Sequence, residues 1–165
     1  MSIKAIVYTS NTGHTERYAK MFGEKTGYPV YSVKEADNAL AKNDEIFYFG
    51  WLFASSVKGY ARVKKKYNVR AVCGVGLCTT GALLDEVRKN AQVPAETALF
   101  TVQGGMDRCA LHGIHKFMID MLTKTMENKK DKTDEEQEML TLLKRGGDYV
   151  CEENLAEPLA WVKNL

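Results

Sequence analysis

The stretch Ala5-Ile6-Val7-Tyr8-Thr9-Ser10-Asn11-Thr12-Gly13-His14-Thr15-Glu16-Arg17 decides the fold. Its first residues are apolar, β-branched or aromatic without strict alternation, the composition of a parallel strand covered on both faces. Beyond Thr15, Ala19 and Phe22 recur at helical spacing. A buried strand that runs through a hydroxyl-rich turn into an amphipathic helix is the opening unit of an α/β domain. The turn also carries chemistry. A loop at the carboxyl end of a parallel strand aims backbone N–H groups, and the positive end of the following helix, at an anion. Ser10, Thr12 and Thr15 each add a hydroxyl donor, and Gly13 lets the backbone come close to a bound group. The turn holds no lysine or arginine, so dipoles and neutral donors would meet the anion. A plain helix cap would need only one of these hydroxyls.

Strand-like runs recur outward from this unit at residues 3–9, 29–33, 45–50, 70–77 and 97–103. Helical spacing falls between most of them, over 13–26, 35–41, 59–67, 80–91 and 110–127. The prediction is an α/β fold with a five-stranded parallel sheet and helices on both faces, all in one domain spanning 1–165. A further helix is expected over 133–145. Thr133-Asp134-Glu135-Glu136 fits a capping box, Met139, Leu140, Leu142 and Leu143 form a stripe, and Lys144-Arg145-Gly146-Gly147 reads as a stop. The last helix should open near Pro158, since proline is tolerated only in a first turn. The mixed charges between 127 and 137 read as a solvated connection.

The composition is 45% hydrophobic and 27% charged with only 3 prolines, that of an ordinary folded chain. With 23 basic and 21 acidic residues the net charge of +2 gives no argument for nucleic acid. The longest apolar-rich stretch, 46–57, falls short of the roughly 18–20 residues that span a bilayer, so no transmembrane segment is expected. Residues 1–8 lead straight into a strand without the features of a secretory signal, which points to the cytoplasm. Cys73, Cys78, Cys109 and Cys151 form no CxxC pair and read as free thiols.

Other patterns carry less. No Walker sequence is present, and the first strand does not end in the acidic pair of a phospho-acceptor. Gly74-Val75-Gly76 lacks the third small residue of a dinucleotide fingerprint and reads as a close-packing feature. Cys109, His112 and His115 are spaced for neighbouring turns but lack a fourth metal ligand, so no metal site is assigned. The basic cluster Lys58, Arg62, Lys64, Lys65, Lys66 and Arg70 reads as a solvated face, with an acidic redox partner as the alternative. The apolar face of 110–127 is broad. It is read mainly as core beneath 133–145, with a protein partner or peripheral membrane contact as the alternative.

The segment from Tyr8 to Glu16 resembles the phosphate loop of the flavodoxin-like FMN-binding family, which carries a Thr/Ser-x-Thr-Gly-Asn-Thr pattern. His14 stands where many members have Asn. The order of strands and helices is similar over nearly the whole chain. A second similarity, in Gln103-Gly104-Gly105-Met106-Asp107 and in Lys116-Phe117-Met118-Ile119, lies with the branch that includes menaquinone-dependent protoporphyrinogen oxidase. The resemblance implies a three-layer sandwich with sheet order 2-1-3-4-5 and bound FMN at the switch point. Ser10, Asn11, Thr12, Gly13, His14 and Thr15 would then hold the phosphate. Trp51, Leu52, Phe53, Ala54 and Ser55 after the third strand, with Cys78 and Thr79 after the fourth, would place the ring. Trp51 and Phe53 are the candidates to cover a ring face; alternatively they continue the core of the third strand. The implied function is an FMN-dependent oxidoreductase or electron-transfer protein that passes electrons to a quinone, a porphyrinogen or a redox partner protein. No side chain is assigned as acid or base, and the competing reading is a cofactor-free binding module.

Overall fold

The computed structural model describes residues 2–165. In chain order the elements are β1 (Ala5–Thr9), α1 (His14–Thr26), β2 (Val30–Ser32), α2 (Val33–Ala39), β3 (Glu45–Phe53), β4 (Ser56–Val57), α3 (Tyr60–Val63) and β5 (Asn68–Gly76). They continue with α4 (Leu84–Ala91), β6 (Ala98–Gln103), β7 (Gly105–Met106), α5 (Gly113–Asn128), α6 (Asp134–Arg145), β8 (Gly147–Asp148), a 3-10 turn (Glu152–Leu155) and α7 (Ala156–Lys163).

β2, β1, β3, β5 and β6 lie side by side in that order and pair in parallel. These are the five expected strands in the order second, first, third, fourth, fifth. Successive side chains of a strand point to opposite faces, so two cores form from interleaved residues. Ala5, Val7, Ile46, Tyr48 and Val72 pack with Ala36 of α2, Tyr60 and Val63 of α3 and Val87 of α4. Ile6, Phe47, Phe49, Ala71 and Cys73 pack with Tyr18, Ala19 and Phe22 of α1, and Trp161 of α7 lies against this core. On that face the Phe47 ring stands 4.6 Å from Phe22, 5.0 Å from Phe49 and 5.9 Å from Trp161. The result is a flavodoxin-like three-layer α/β sandwich, with α6 as the added helix.

Several boundaries differ from the sequence expectation. β3 does not stop at Gly50 but runs to Phe53 and folds back on β4 through Ala54 and Ser55, so the expected loop is a hairpin. α3 is only four residues long, and α4 starts at Leu84, because Gly81 (φ 83°) and Leu83 (φ 61°) take left-handed conformations that a right-handed helix cannot absorb. α6 begins with the expected capping box, in which Thr133 accepts from the Glu136 amide and Glu136 reaches back to the Thr133 amide. Pro158 lies in the first turn of α7.

The largest correction concerns α5. Its apolar face is not buried under α6: among its described residues only Thr123 is buried, and Phe117 is 65% exposed. α6 covers one flank of α5, while the sheet ends meet another through His115 and Ile119. A face wider than one neighbour can cover is left to solvent.

These placements give opposite expectations for two phenylalanines. Phe47→Ala should cost about 3–5 kcal/mol and lower Tm by roughly 10 °C or more. Phe117→Ala, in dilute solution, should stay within about 0.5 kcal/mol of the parent. Thermal melts followed by far-ultraviolet circular dichroism check both.

Candidate functional site

The turn after β1 leaves the positive end of α1 open. Gly13 is the N-cap, with φ 100°, and no side chain caps the helix. α2 and α6 each carry a complete capping box, whereas α3, α4, α5 and α7 also lack a side-chain cap, so what sets the α1 terminus apart is the cleft it opens onto. The amides of a first helical turn have no acceptor within the helix, so an uncapped turn presents them outward. Ser10 Oγ accepts from the Gly13 amide at 3.2 Å and so shapes the loop without capping the helix. Thr12 Oγ1 lies 3.0 Å from His14 Nδ1, and the Thr15 side chain is buried at the base.

The floor of the turn is tied to the hairpin by Tyr48. Its hydroxyl donates to the Lys58 carbonyl at 2.6 Å and stands 2.8 Å from Thr9 Oγ1, from which it can accept. Burial pushes the Tyr48 phenol up to about 12, so it stays protonated as a donor. Gly59, with φ 83°, passes directly beside this node. A Cβ there would lie 2.2 Å from the Tyr48 hydroxyl and 2.5 Å from Thr9 Oγ1, so only glycine serves.

From this turn a cleft extends across the carboxyl ends of β3 and β5. Asn11, Thr12, His14 and Thr15 form its polar end, Trp51, Leu52 and Phe53 one wall, and Val75, Gly76 and Leu77 its floor. Trp51 and Phe53, two residues apart, lie on one face of the β3 extension with ring centroids 5.8 Å apart. They continue the strand and line the cleft, but they are half-buried and belong to neither core. Leu52, between them, also fills the space above Gly74 and Gly76, where a Cβ would come within 2.7 and 2.9 Å of it. That is the close-packing role read for this glycine pair.

Ala54 and Ser55 both have positive φ, 48° and 56°, a turn geometry usually served by Asn-Gly. The Ser55 hydroxyl donates to Glu86 and fastens the hairpin tip to α4. Cys78 and Thr79 do not line the main cleft. With Ala54 and Ser55 they border a neighbouring apolar cavity of about 290 Å³, which shares Leu77 with the cleft and which Leu122, Met126 and Met139 also line. Burial, reinforced by Glu86 and Glu135, raises the Cys78 thiol above its ordinary pKa, so it is not a ready nucleophile.

The cleft also contains residues that sequence reasoning did not place there. His115 and Ile119 roof it from α5 and Leu111 from the turn before that helix, and Gly105 and Met106 close its end. His115 meets Trp51 edge-on at 5.3 Å and Phe53 at 5.5 Å. Lys58 Nζ stands 5.0 Å from the centroid of Phe53. The separation of His115 from Trp51 along the chain hid this contact, although the His112/His115 spacing had marked the segment. Those two histidines and Cys109 do not converge: Cys109 is exposed and His112 Nδ1 lies 3.0 Å from the Ala110 carbonyl. Among the described residues no group of three or more His, Cys, Asp or Glu side chains gathers for a metal.

Gln103-Gly104-Gly105 passes against His14. A Cβ on Gly105 would lie 2.2 Å from the Gly147 carbonyl and 3.0 Å from His14 Nε2, so the β7–β8 pair closes on this imidazole only through glycine. Arg17 and Asp148 pair at 2.6 Å beside it. Of the basic cluster, Arg62 and Lys66 pair with Asp37 and behave as a structural face.

No protein-family model matches the chain, and no curated protein matches it. Its functional reading rests on the geometry of the cleft.

Burial lowers the His14 pKa below the ordinary 6.5, aided by Arg17 and opposed by Asp148 and Asp107. The unfolded chain then takes up its proton at higher pH than the folded one, so this residue withdraws stability as pH falls through about 6.5 and below. His14→Gln should flatten the decline of the urea midpoint between about pH 7 and pH 5 relative to the parent. An unchanged slope would mean that His14 is solvated like the free side chain.

Proposed function

We propose that the protein is an FMN-binding oxidoreductase of the flavodoxin-like type, related to the branch that includes menaquinone-dependent protoporphyrinogen oxidase. The observation that carries this reading is the open amino end of α1, flanked by Thr12 and Thr15 and opening into an aromatic-walled cleft. A helix with a side-chain cap has met its own need for an acceptor; this one has not.

The residues present fit the group. The polar end of the cleft offers amides and hydroxyls to a phosphate, whose charge they meet without a cation. The long apolar portion between Trp51, Phe53, Leu77 and Ile119 suits a flat heteroaromatic ring. When bound, FMN supplies the capacity to take up and release electrons, which no side chain of the cleft offers. Trp51 and Phe53 would lie along a ring face and exclude water. The roof residues of α5 would limit access from solvent. Electrons would pass to a quinone, a porphyrinogen or a redox partner protein. No helix among the described residues is long and apolar enough to cross a membrane.

The test is a titration with FMN and with riboflavin, which lacks the phosphate. FMN should bind with quenching of its fluorescence and raise Tm, and Thr12→Val should weaken it about tenfold through loss of a hydrogen bond to a charged group. Riboflavin should bind more weakly and be nearly indifferent to Thr12→Val. A colourless preparation that takes up no FMN, with no shift in Tm, would refute the reading and favour a cofactor-free binding module.

A further inference from the structure

The outer face of α5 has no partner within the chain. On a 3.6-residue helix His115, Ile119, Thr123 and Met126 share the inner side, while Ile114, Phe117, Met121 and Thr125 form a strip on the outer side. Ile114 is 69% exposed, Phe117 65%, Met121 54% and the adjacent Leu122 45%. Scattered single apolar residues on a surface need no explanation, but a contiguous strip along a helix about 24 Å long marks a contact.

What covers it is indicated by the charges along one edge of the strip. Lys116, Asp120, Lys124 and Glu127 follow one another at spacings of four, four and three residues, one row on the helix surface with signs plus, minus, plus, minus. The row itself sums to zero, but Arg108 and Lys144 pair with its two carboxylates, so the charge total does not select the occupant of the strip. The order of the row is decisive. Reversed by a two-fold axis, plus-minus-plus-minus becomes minus-plus-minus-plus, so each charge meets its opposite. We propose that α5 is the interface of a homodimer in which it packs antiparallel against α5 of a second copy, with the axis passing close to Met121 and Leu122.

In that register Lys116 faces Glu127 of the other copy and Asp120 faces its Lys124, which is the self-complementarity a two-fold contact requires. Met121 lies at the axis, and Phe117 packs over the end of the partner helix near Thr125. Within the chain Arg108 and Lys116 pair with Asp120 and Lys144 pairs with Glu127, yet both carboxylates stay partly exposed, so they can be shared. One helix face is smaller than the about 800 Å² that each partner contributes to a standard interface, so the dimer should be a dissociable one. The inner side of the same helix roofs the candidate cleft, and dimerisation would steady that roof. The inference stands on the outer face alone, whether or not the cleft holds FMN.

Sedimentation equilibrium of the full chain from about 1 to about 200 µM tests it, with no ligand added. The parent should pass from monomer to dimer. Met121→Glu, which sets two carboxylates against each other at the axis, should weaken association at least tenfold while leaving the circular dichroism spectrum and dilute Tm unchanged. Lys124→Glu and Asp120→Lys should each be monomeric alone, yet associate when mixed, because opposite charges again face each other across the axis. Dimerisation of the parent that Met121→Glu leaves intact would overturn the proposal. So would a parent that stays monomeric throughout, including one that instead co-sediments with phosphatidylglycerol vesicles. Failure of the two folded charge variants to associate on mixing would overturn the antiparallel register.

Discussion

The buried phenol of Tyr48 joins the two loops on which the cleft depends. From the middle strand its hydroxyl reaches the Lys58 carbonyl just past the β3–β4 hairpin and the Thr9 side chain at the mouth of the hydroxyl-rich turn before α1. A buried hydroxyl is costly to leave unpaired, so the strand, the hairpin and the turn hold one relative position. Gly59 is required by the same node, since no side chain could pass it. The aromatic wall and the open helix end therefore face one another by construction of the core.

That construction explains why the cleft is apolar along most of its length and polar at one end. The carboxyl ends of parallel strands point their loops to one side of the sheet, and the first loop of this fold precedes a helix whose dipole is directed into the site. Glycine is used where chain segments cross most closely. Gly74 and Gly76 admit Leu52, and Gly105 admits the β8 backbone beside His14. A ligand entering between these segments would meet backbone on one side and rings on the other, a surface suited to a flat group that carries an anionic tail.

α5 serves two surfaces at once. Its inner residues touch Trp51 and Phe53 through His115, while its outer strip of Ile114, Phe117 and Met121 is too apolar for a helix that faces only water. Read as a sequence, the breadth of that face was visible but its partner was not. Hydrophobic spacing reports that a face is covered, without saying whether the covering comes from the same chain. The basic cluster shows the same limit, because Asp37, which pairs with Arg62 and Lys66, lies far from them along the chain.

Local patterns were enough to determine the strand-turn-helix opening, the alternation of strands and helices, the capping box at Thr133 and the hydroxyl-rich turn, because each depends on neighbours within a few residues. The sheet order came from the family resemblance, and β-pairing in the structure agrees with it. Tertiary structure alone decided that β3 continues into a hairpin, that Cys78 and Thr79 border a second cavity instead of the main cleft, and that His115 joins the aromatic wall. Those outcomes depend on which segments, tens of residues apart, compete to fill one volume. Side-chain packing settles that competition, and no local spacing records it.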